Sequence, residues 1–307
     1  MTDRPRLRLG TRGSPLARWQ AEHVAARLTE MGIDVELIHI TTQGDVKTGP
    51  LGQIGGQGLF TKEIQRALLD DRIDLAVHSL KDLPTEVIEE LTLAAVPERE
   101  SPGDVLVSKT ATSIGDLPTQ ARIGTGSTRR KAQLLYARAD LQIEDIRGNV
   151  ETRLRKLDDG EFDAIILAEA GLRRLGFTDR IAHVLPRELM LPAVGQGALG
   201  IESRSNDLRT LELLSPLNDT ATRHAVLAER AMLRTLRGGC LAPVGAWARI
   251  VGEELQLDGV VLSPDGKNRI FASSTAAPAA AEALGQYVGE ELLAQGAGEL
   301  IAGSRTA

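Results

Sequence analysis

The chain has 307 residues, enough for two or three compact units, and its 42% hydrophobic and 25% charged content is that of an ordinary globular protein. Aromatic residues make up only 3%, which excludes an aromatic stacking platform or membrane belt as the organising feature; the net charge of −6 argues against general nucleic-acid binding. No apolar run approaches the ~20 residues needed to span a bilayer, Met1 to Gly10 holds no apolar signal core, and a single cysteine rules out an intramolecular disulfide framework. A soluble, cytoplasmic protein with no membrane or nucleic-acid partner is expected.

Leu7 and Leu9 alternate with arginines and predict a first strand. Ser14-Pro15 is a helix start, a capping hydroxyl followed by a proline suited to the first turn. Leu16, Trp19, His23 and Leu28 are expected on one face of that helix. Asp34 to Thr41 reads as a strand, and Gln43 to Gly58, with six glycines, as a loop able to act as a lid. A helix is expected from Thr61, then a strand over Ile73 to Val77 running straight into His78-Ser79-Leu80-Lys81-Asp82. Pro97 to Gly103 reads as a linker.

Beyond the linker the alternation resumes. A strand ends near Ile123 at Gly124-Thr125-Gly126-Ser127, a helix runs from Thr128 to about Ala139, and Ile143 to Ile146 is a strand. Asn149 caps the next helix, Gly160 suits its end, and Asp163 to Ala168 is again a strand. Gly10 to Ser14 and Gly124 to Ser127 both sit where a strand turns into a helix, so two similar α/β domains facing a cleft are expected. Pro192 to Gly200 reads as a crossover or hinge. Asn218-Asp219 opens a helix carrying Ala225, Leu227, Ala228, Met232 and Leu236. After Cys240, strands over Val244 to Ile250 and Leu255 to Val261, a turn at Pro264-Asp265-Gly266, a further strand and an alanine-rich helix read as a small α+β domain. The expected domains are residues 1–97 with 198–216, then 102–192, then 219–307.

Three features carry chemistry. Arg12, Arg129, Arg130, Arg147 and Arg153 all lie near predicted helix starts, where a cation opposes the helix dipole. An anionic ligand sharing the same N–H groups is a physical reason to keep them there. Guanidinium suits carboxylate and phosphate alike; the usual nucleotide loops are missing, which weakens the phosphate choice and leaves it open. Lys81-Asp82 ends a buried strand, where open α/β sheets place ligands. Such a pair is more often an ion pair than a catalyst, yet beside arginines Asp82 is an acceptor for a cationic or N–H-bearing intermediate. Cys240 follows Gly238-Gly239, which leaves its thiol approachable for covalent attachment, although a lone cysteine is usually a small buried hydrophobe. No cysteine and histidine spacing suits a metal.

Gly10-Thr11-Arg12-Gly13-Ser14-Pro15-Leu16-Ala17, Ala76-Val77-His78-Ser79-Leu80-Lys81-Asp82-Leu83-Pro84, Ile146-Arg147-Gly148-Asn149-Val150, Leu191-Pro192-Ala193-Val194-Gly195-Gln196-Gly197-Ala198 and Gly238-Gly239-Cys240 resemble, in order, the signatures of the hydroxymethylbilane synthase (porphobilinogen deaminase) family. The resemblance runs from about Leu7 to about Ala302. It implies a transferase with two α/β domains like those of type II periplasmic binding proteins around a cleft, plus a small C-terminal α+β domain; separately from the resemblance, a monomer is expected. It implies condensation of four porphobilinogens head to tail with loss of ammonia, then hydrolytic release of hydroxymethylbilane. The implied cofactor is a dipyrromethane joined by thioether to Cys240. Asp82 is then the catalytic residue, and Lys81, Ser127, Arg129 and Arg130 hold the cofactor. Arg12, Ser14, Arg147, Arg153, Gln196 and the loop residue Phe60 are assigned to the substrate. Gln53 and Gln57 depart from the lysines frequent in bacterial relatives, and Gly126 from a serine, departures that bear on affinity more than on activity. The alternatives are a two-domain anion-binding protein without catalysis and a phosphotransfer enzyme; the first predicts an export signal, the second a phosphate loop.

Overall fold

Strand β1 (Arg6–Thr11) alternates arginine with leucine and so buries Leu7 and Leu9 while its arginines reach the surface. The computed structural model describes residues 4–42, 61–238 and 242–306. The glycine-rich stretch 43–58, Phe60 and Cys240, which carry the lid, substrate-packing and covalent-anchor expectations, lie outside them. The chain divides into two units, Met1–Arg99 with Ala198–Arg223 and Glu100–Gly197 with His224–Ala307.

In the first unit, helix α1 (Pro15–Glu30) starts as the sequence predicts: the Ser14 side chain accepts from the Ala17 N–H and Pro15 occupies the first turn. Its buried face differs from the expected one. Gln20, Ala21, Val24 and Leu28 are buried, while Trp19 and His23 stack on each other, ring centroids 5.0 Å apart, away from the core. Ala21 lets the helix approach the sheet, so the large rings turn outward. Strand β2 (Asp34–His39), helix α2 (Lys62–Leu69), strand β3 (Leu75–Ser79), a 3-10 turn over Leu80–Asp82 and strand β4 (Leu91–Ala95) follow. β4 is not anticipated by the sequence reading. β1 pairs in parallel with β2 and β3, with Leu9 opposite Leu37 and Leu75. A strand from far along the chain, Leu199–Arg204, lies between β3 and β4 and is antiparallel to both. Leu7, Leu9, Val24, Leu28 and Ile201 fill one side of this sheet, and Ile40, Ile64, Leu68 and Ile73 form a second cluster.

The second unit repeats the plan. Its elements are β5 (Asp104–Ser108), β6 (Arg122–Gly124), α3 (Thr128–Ala137), β7 (Gln142–Glu144), α4 (Val150–Asp158), β8 (Ala164–Ala168), α5 (Glu169–Arg174) and β9 (His183–Val184). In chain order the Leu199–Arg204 strand is β10. The two sheets run β2-β1-β3-β10-β4 and β7-β6-β8-β5-β9. In each, three parallel strands in the order second, first, third are followed by one antiparallel strand and then an outer strand. The expected duplication is therefore real at the level of strand order. The antiparallel strand is the last to be made in the first sheet and the first to be made in the second.

Helix α6 (Leu208–Leu214) closes the first unit's strand set, and α7 (Thr220–Thr235) is capped by Asp219, which accepts from the Thr222 N–H at 2.7 Å. A three-stranded antiparallel sheet, β11 (Val244–Val251), β12 (Glu254–Leu262) and β13 (Arg269–Ala276), packs with α8 (Ala281–Ala294) and α9 (Ala297–Thr306). Met232, Leu257, Val261, Val288 and Leu292 form its core. α7 and α8 touch at backbone level: a Cβ on Gly285 would lie 2.2 Å from the Ala228 carbonyl oxygen. Val260 and Leu262 of β12 pack with Ala132 of α3 and with Leu191, so this sheet and the arginine-bearing sheet share an apolar contact inside one unit. The Pro192 to Gly200 stretch is pinned by the fully buried Glu229, which accepts from the N–H groups of Gly195 and Ala248 at 2.7 and 2.9 Å. No helix among the described residues is long and apolar enough to cross a membrane.

Candidate functional site

In the first unit the C-terminal ends of β1 and β3 and the start of α1 bring their polar residues to one pocket. Arg12 and Ser14 come from the β1–α1 junction, His78 and Ser79 from the end of β3, and Asp82 from the turn after it. Thr61 joins them, and Leu16, Ile64 and Val77 supply apolar wall. The cavity measures about 80 Å³. An apolar cavity of about 150 Å³ holds a benzene, so this one takes part of a ring or a carboxylate arm. Behind it, His78 Nε2 lies 3.1 Å from Glu202 Oε2, and Glu202 Oε1 accepts from Gln65 Nε2 at 2.9 Å. Gln20 donates to Ser79 Oγ at 2.8 Å. These bonds fix the polar ends of β3, because a buried donor or acceptor without a partner is costly. Lys81 and Asp82 themselves are exposed, and Asp82 lines the pocket.

The second unit holds a different constellation. Arg129 and Arg130 lie in the first turn of α3, whose N-cap Ser127 accepts from the Arg130 N–H. Both guanidiniums are buried, at 4% and 6% exposure, and both close on the fully buried carboxylate of Asp104. Arg129 Nη1 donates to Asp104 Oδ2 at 2.7 Å and to the Leu191 carbonyl; Arg130 Nε donates to Asp104 Oδ1 at 2.9 Å and Nη1 to the Ile166 carbonyl. The buried Gln196 amide donates to Asp104 Oδ1 at 3.0 Å and to the carbonyls of Pro102 and Gly103. Gln196 therefore sits behind Asp104. Burial alone would raise the Asp104 carboxyl, but the two guanidiniums outweigh it and hold it well below the usual carboxylate range.

At the start of α4, capped by Asn149 accepting from the Thr152 N–H, stand Arg147 and Arg153. Arg147 Nε donates to the exposed Asp145 at 2.9 Å, and Arg153 Nε to the Gly148 carbonyl at 2.9 Å. Gly148 has φ +112, a backbone conformation that favours glycine, which turns its carbonyl toward the arginine's chain segment. Burial first, then repulsion from Arg130 and Arg147, lowers the Arg153 guanidinium to about 10. Arg130 is likewise lowered, by burial first, with Arg129 adding repulsion and Asp104 opposing both. Arg129, Arg130, Arg147 and Arg153 thus face a carboxylate supply of Asp104 and Asp145, and the buried Arg129 Nε has no hydrogen-bond partner. That excess of positive charge suits an anionic ligand with more than one carboxylate. Gly126 approaches closely here: a Cβ on it would lie 3.0 Å from Asp145 Oδ1 and 3.1 Å from the Ile146 carbonyl oxygen.

Residues 7–212 match the family model for the porphobilinogen deaminase dipyromethane cofactor binding domain, and residues 224–294 the model for the porphobilinogen deaminase C-terminal domain. The chain belongs to the porphobilinogen deaminase family. Two porphobilinogen deaminases from strains of Acidithiobacillus ferrooxidans are each 51% identical over 304 residues, spanning 98% of this chain and 99% of the relative. Among solved structures, lipoprotein Tp32 from Treponema pallidum aligns with a TM-score of 0.46 at 14% identity, covering 70% of this chain and 91% of that one. The methionine-binding protein MetQ aligns at 0.45 and 13%, covering 69% and 89%. The fold assignment rests on the strand order above.

The family's first model spans both the Arg12 and Asp82 pocket and the Asp104 cluster, and its second spans Cys240. Gln53, Gln57, Phe60 and Cys240 lie outside the described residues. Asp104, Glu202 and Thr61 are not singled out by sequence reading. The signal for Asp104 is an acid opening an otherwise apolar buried strand, since a buried charge needs a partner. Its partners lie 25 and 26 positions away and are joined only by the fold.

Proposed function

We propose that the chain is a hydroxymethylbilane synthase. It condenses four porphobilinogens head to tail with loss of ammonia on a dipyrromethane primer held through Cys240, then releases the linear tetrapyrrole by hydrolysis. The observation that carries this reading is the pocket combining Arg12 with Asp82. A guanidinium for carboxylates and a carboxylate for N–H groups match a pyrrole bearing acid arms, a ring N–H and an aminomethyl group.

The residues of the second unit fit the dipyrromethane, because their surplus guanidiniums and the orphan Arg129 Nε call for carboxylates. When bound, that group supplies the pyrrole carbon from which the chain grows. Arg129, Arg130, Ser127 and Lys81 hold its acid side chains. Ser127 uses an acceptor lone pair in its cap and retains a hydroxyl proton to donate. Arg12, Ser14, Arg147 and Arg153 bind the incoming substrate, Phe60 packs over it, and Gln196 acts through Asp104. Asp82 accepts from the pyrrole N–H and stabilises the positive charge that develops as ammonia leaves and the carbon–carbon bond forms. Repulsion among the second unit's guanidiniums falls when carboxylates arrive, so the site attracts acid arms beyond the two carboxylates, Asp104 and Asp145, that it already holds.

The reading includes three domains, 1–97 with 198–216, 102–192 and 219–307, the last two sharing the contact around Leu191 and Val260. It places the enzyme in the cytoplasm, where a lone thiol stays reduced and available for a thioether. It also takes the enzyme as a monomer, supported by exposed large apolar residues scattered over separate elements, such as Met31, Val87, Leu208 and Tyr287. The experiment that tests the core of it is intact-mass measurement. Active protein should carry an adduct of two pyrrole units that Cys240→Ser lacks, and a bare polypeptide with full activity would sink the tethered-primer reading.

A further inference from the structure

Thr61 stands immediately before α2, in the position where a threonine hydroxyl ordinarily caps the first turn. It does not do so: its backbone is helical, at φ −119 and ψ −28, and its side chain makes no capping bond. The residue is 1% exposed and its Oγ1 is buried without a hydrogen-bond partner. Yet it lines the pocket shared by Arg12, Ser14 and Asp82. A buried orphan hydroxyl destabilises the fold that holds it, and such groups persist where a ligand completes them.

We infer that the Thr61 hydroxyl donates a hydrogen bond to a carboxylate of the incoming pyrrole, beside Arg12. This rests on the proposed function. A carboxylate offers about four lone-pair sites, more than one guanidinium fork satisfies. Ser14 already spends an acceptor site on the Ala17 N–H, so its proton and that of Thr61 are the hydroxyl donors at the two helix starts that meet this pocket. Asp82, the pocket's own carboxylate, is left for N–H groups, and Glu63, in the first turn of α2, does not line the cavity. Leu16, Ile64 and Val77 keep the bond away from water, which strengthens it. Thr61 is in this sense a specificity residue that selects an acid arm.

The test is steady-state kinetics on cofactor-loaded Thr61→Val and Thr61→Ser, with intact mass and melting temperature measured on the same samples. Thr61→Val keeps shape and removes the hydroxyl. It should raise the KM for porphobilinogen about tenfold or more, the lower end for a hydrogen bond to a charged group, with kcat little changed. Its cofactor mass should be intact and its melting temperature no lower than wild type, because the hydroxyl it loses has no partner. Thr61→Ser should restore the KM. Should Thr61→Val fail to fold, Thr61→Ala against Thr61→Ser gives the same comparison. An unmoved KM in the hydroxyl-free variant would overturn the inference alone. So would a KM defect shared equally by Thr61→Ser, which would assign the effect to packing. A cofactor-loaded wild type that consumes no porphobilinogen would overturn the proposed function and this inference with it.

Discussion

At the scale of single residues, Asp104 and Arg153 are opposite cases of one electrostatic problem. Asp104 is a buried carboxylate with two guanidiniums on it, and removing it leaves both cations buried and facing each other. Asp104→Asn should therefore lower stability by about 3–5 kcal/mol in urea unfolding, as for breaking a buried pair from one side. Its carboxyl is lower in the folded than in the unfolded protein, so its contribution is fully present above the unfolded value near 4. It is lost as pH falls below that toward the folded value. Melting temperature followed from pH 6 to pH 2 should drop less steeply in Asp104→Asn than in wild type; equal slopes would refute the assignment. Arg153 runs the other way. A guanidinium lowered to about 10 when folded disfavours the fold at neutral pH, and that penalty fades only as pH rises from there toward 12.5. Arg153→Gln should raise the melting temperature of cofactor-free protein while reducing turnover, a trade of stability for function. A variant that melts lower would show that the arginine is structural.

These two residues also mark what the sequence reveals. Arg153 is legible because it stands at a helix start, a local position visible in the chain. Asp104 has one local signal, an acid opening an apolar run, but that signal does not name its partners; they are supplied when β5 is laid beside β8 and under α3. His78 and Glu202 are separated by 124 positions and pair only when β10 is inserted beside β3.

At the scale of elements, the helix starts are written locally and the faces are not. Ser14-Pro15 and Asn149 cap their helices as their residue types require. Ser14→Ala should lower stability by about 1 kcal/mol and, in the same protein, raise the KM, since the residue lines the pocket. Loss of stability with an unchanged KM would leave Ser14 a cap alone. The face of α1 is misread because Trp19 and His23 satisfy each other by stacking, which a count of apolar spacing does not weigh. Length is not why β4 and β5 escape notice, since β3 and β8 are equally short and are read correctly; β5 directly follows a proline-containing linker, and β4 lies between the Lys81-Asp82 turn and that linker. The contact of α7 with α8 offers a control distant in sequence from the pocket. Gly285→Ala must move the helices apart and should cost about 1–3 kcal/mol, while the KM for porphobilinogen stays at its wild-type value.

At the scale of the molecule, an acidic chain carries a local cationic site, which total charge conceals. Cofactor-loaded protein should melt higher than Cys240→Ser, because bound carboxylates relieve the repulsion among Arg129, Arg130, Arg147 and Arg153. Raising salt should narrow the difference by screening the same repulsion. A difference that does not respond to salt would point to packing of the rings as its source.

The first and last residues of the second unit's first segment, Glu100 and Gly197, are bonded to each other: the Glu100 N–H donates to the Gly197 carbonyl at 3.3 Å. A Cβ on Gly197, at φ +86, would lie 2.3 Å from the Glu100 oxygen. The strand that follows, β10, is the last of its sheet to be synthesised, which sets an order of events on the ribosome. β10 is synthesised on the order of 100 residues after β4, some 5–20 s at ordinary rates of translation. Throughout that interval β3 and β4 each present an unpaired edge, the kind of surface that invites wrong partners. The second sheet has no such delay, because β5 to β9 emerge consecutively. Of the two five-stranded sheets, the one begun first is therefore completed last, and a nascent-chain binder that covers strand edges has its work at β3 and β4.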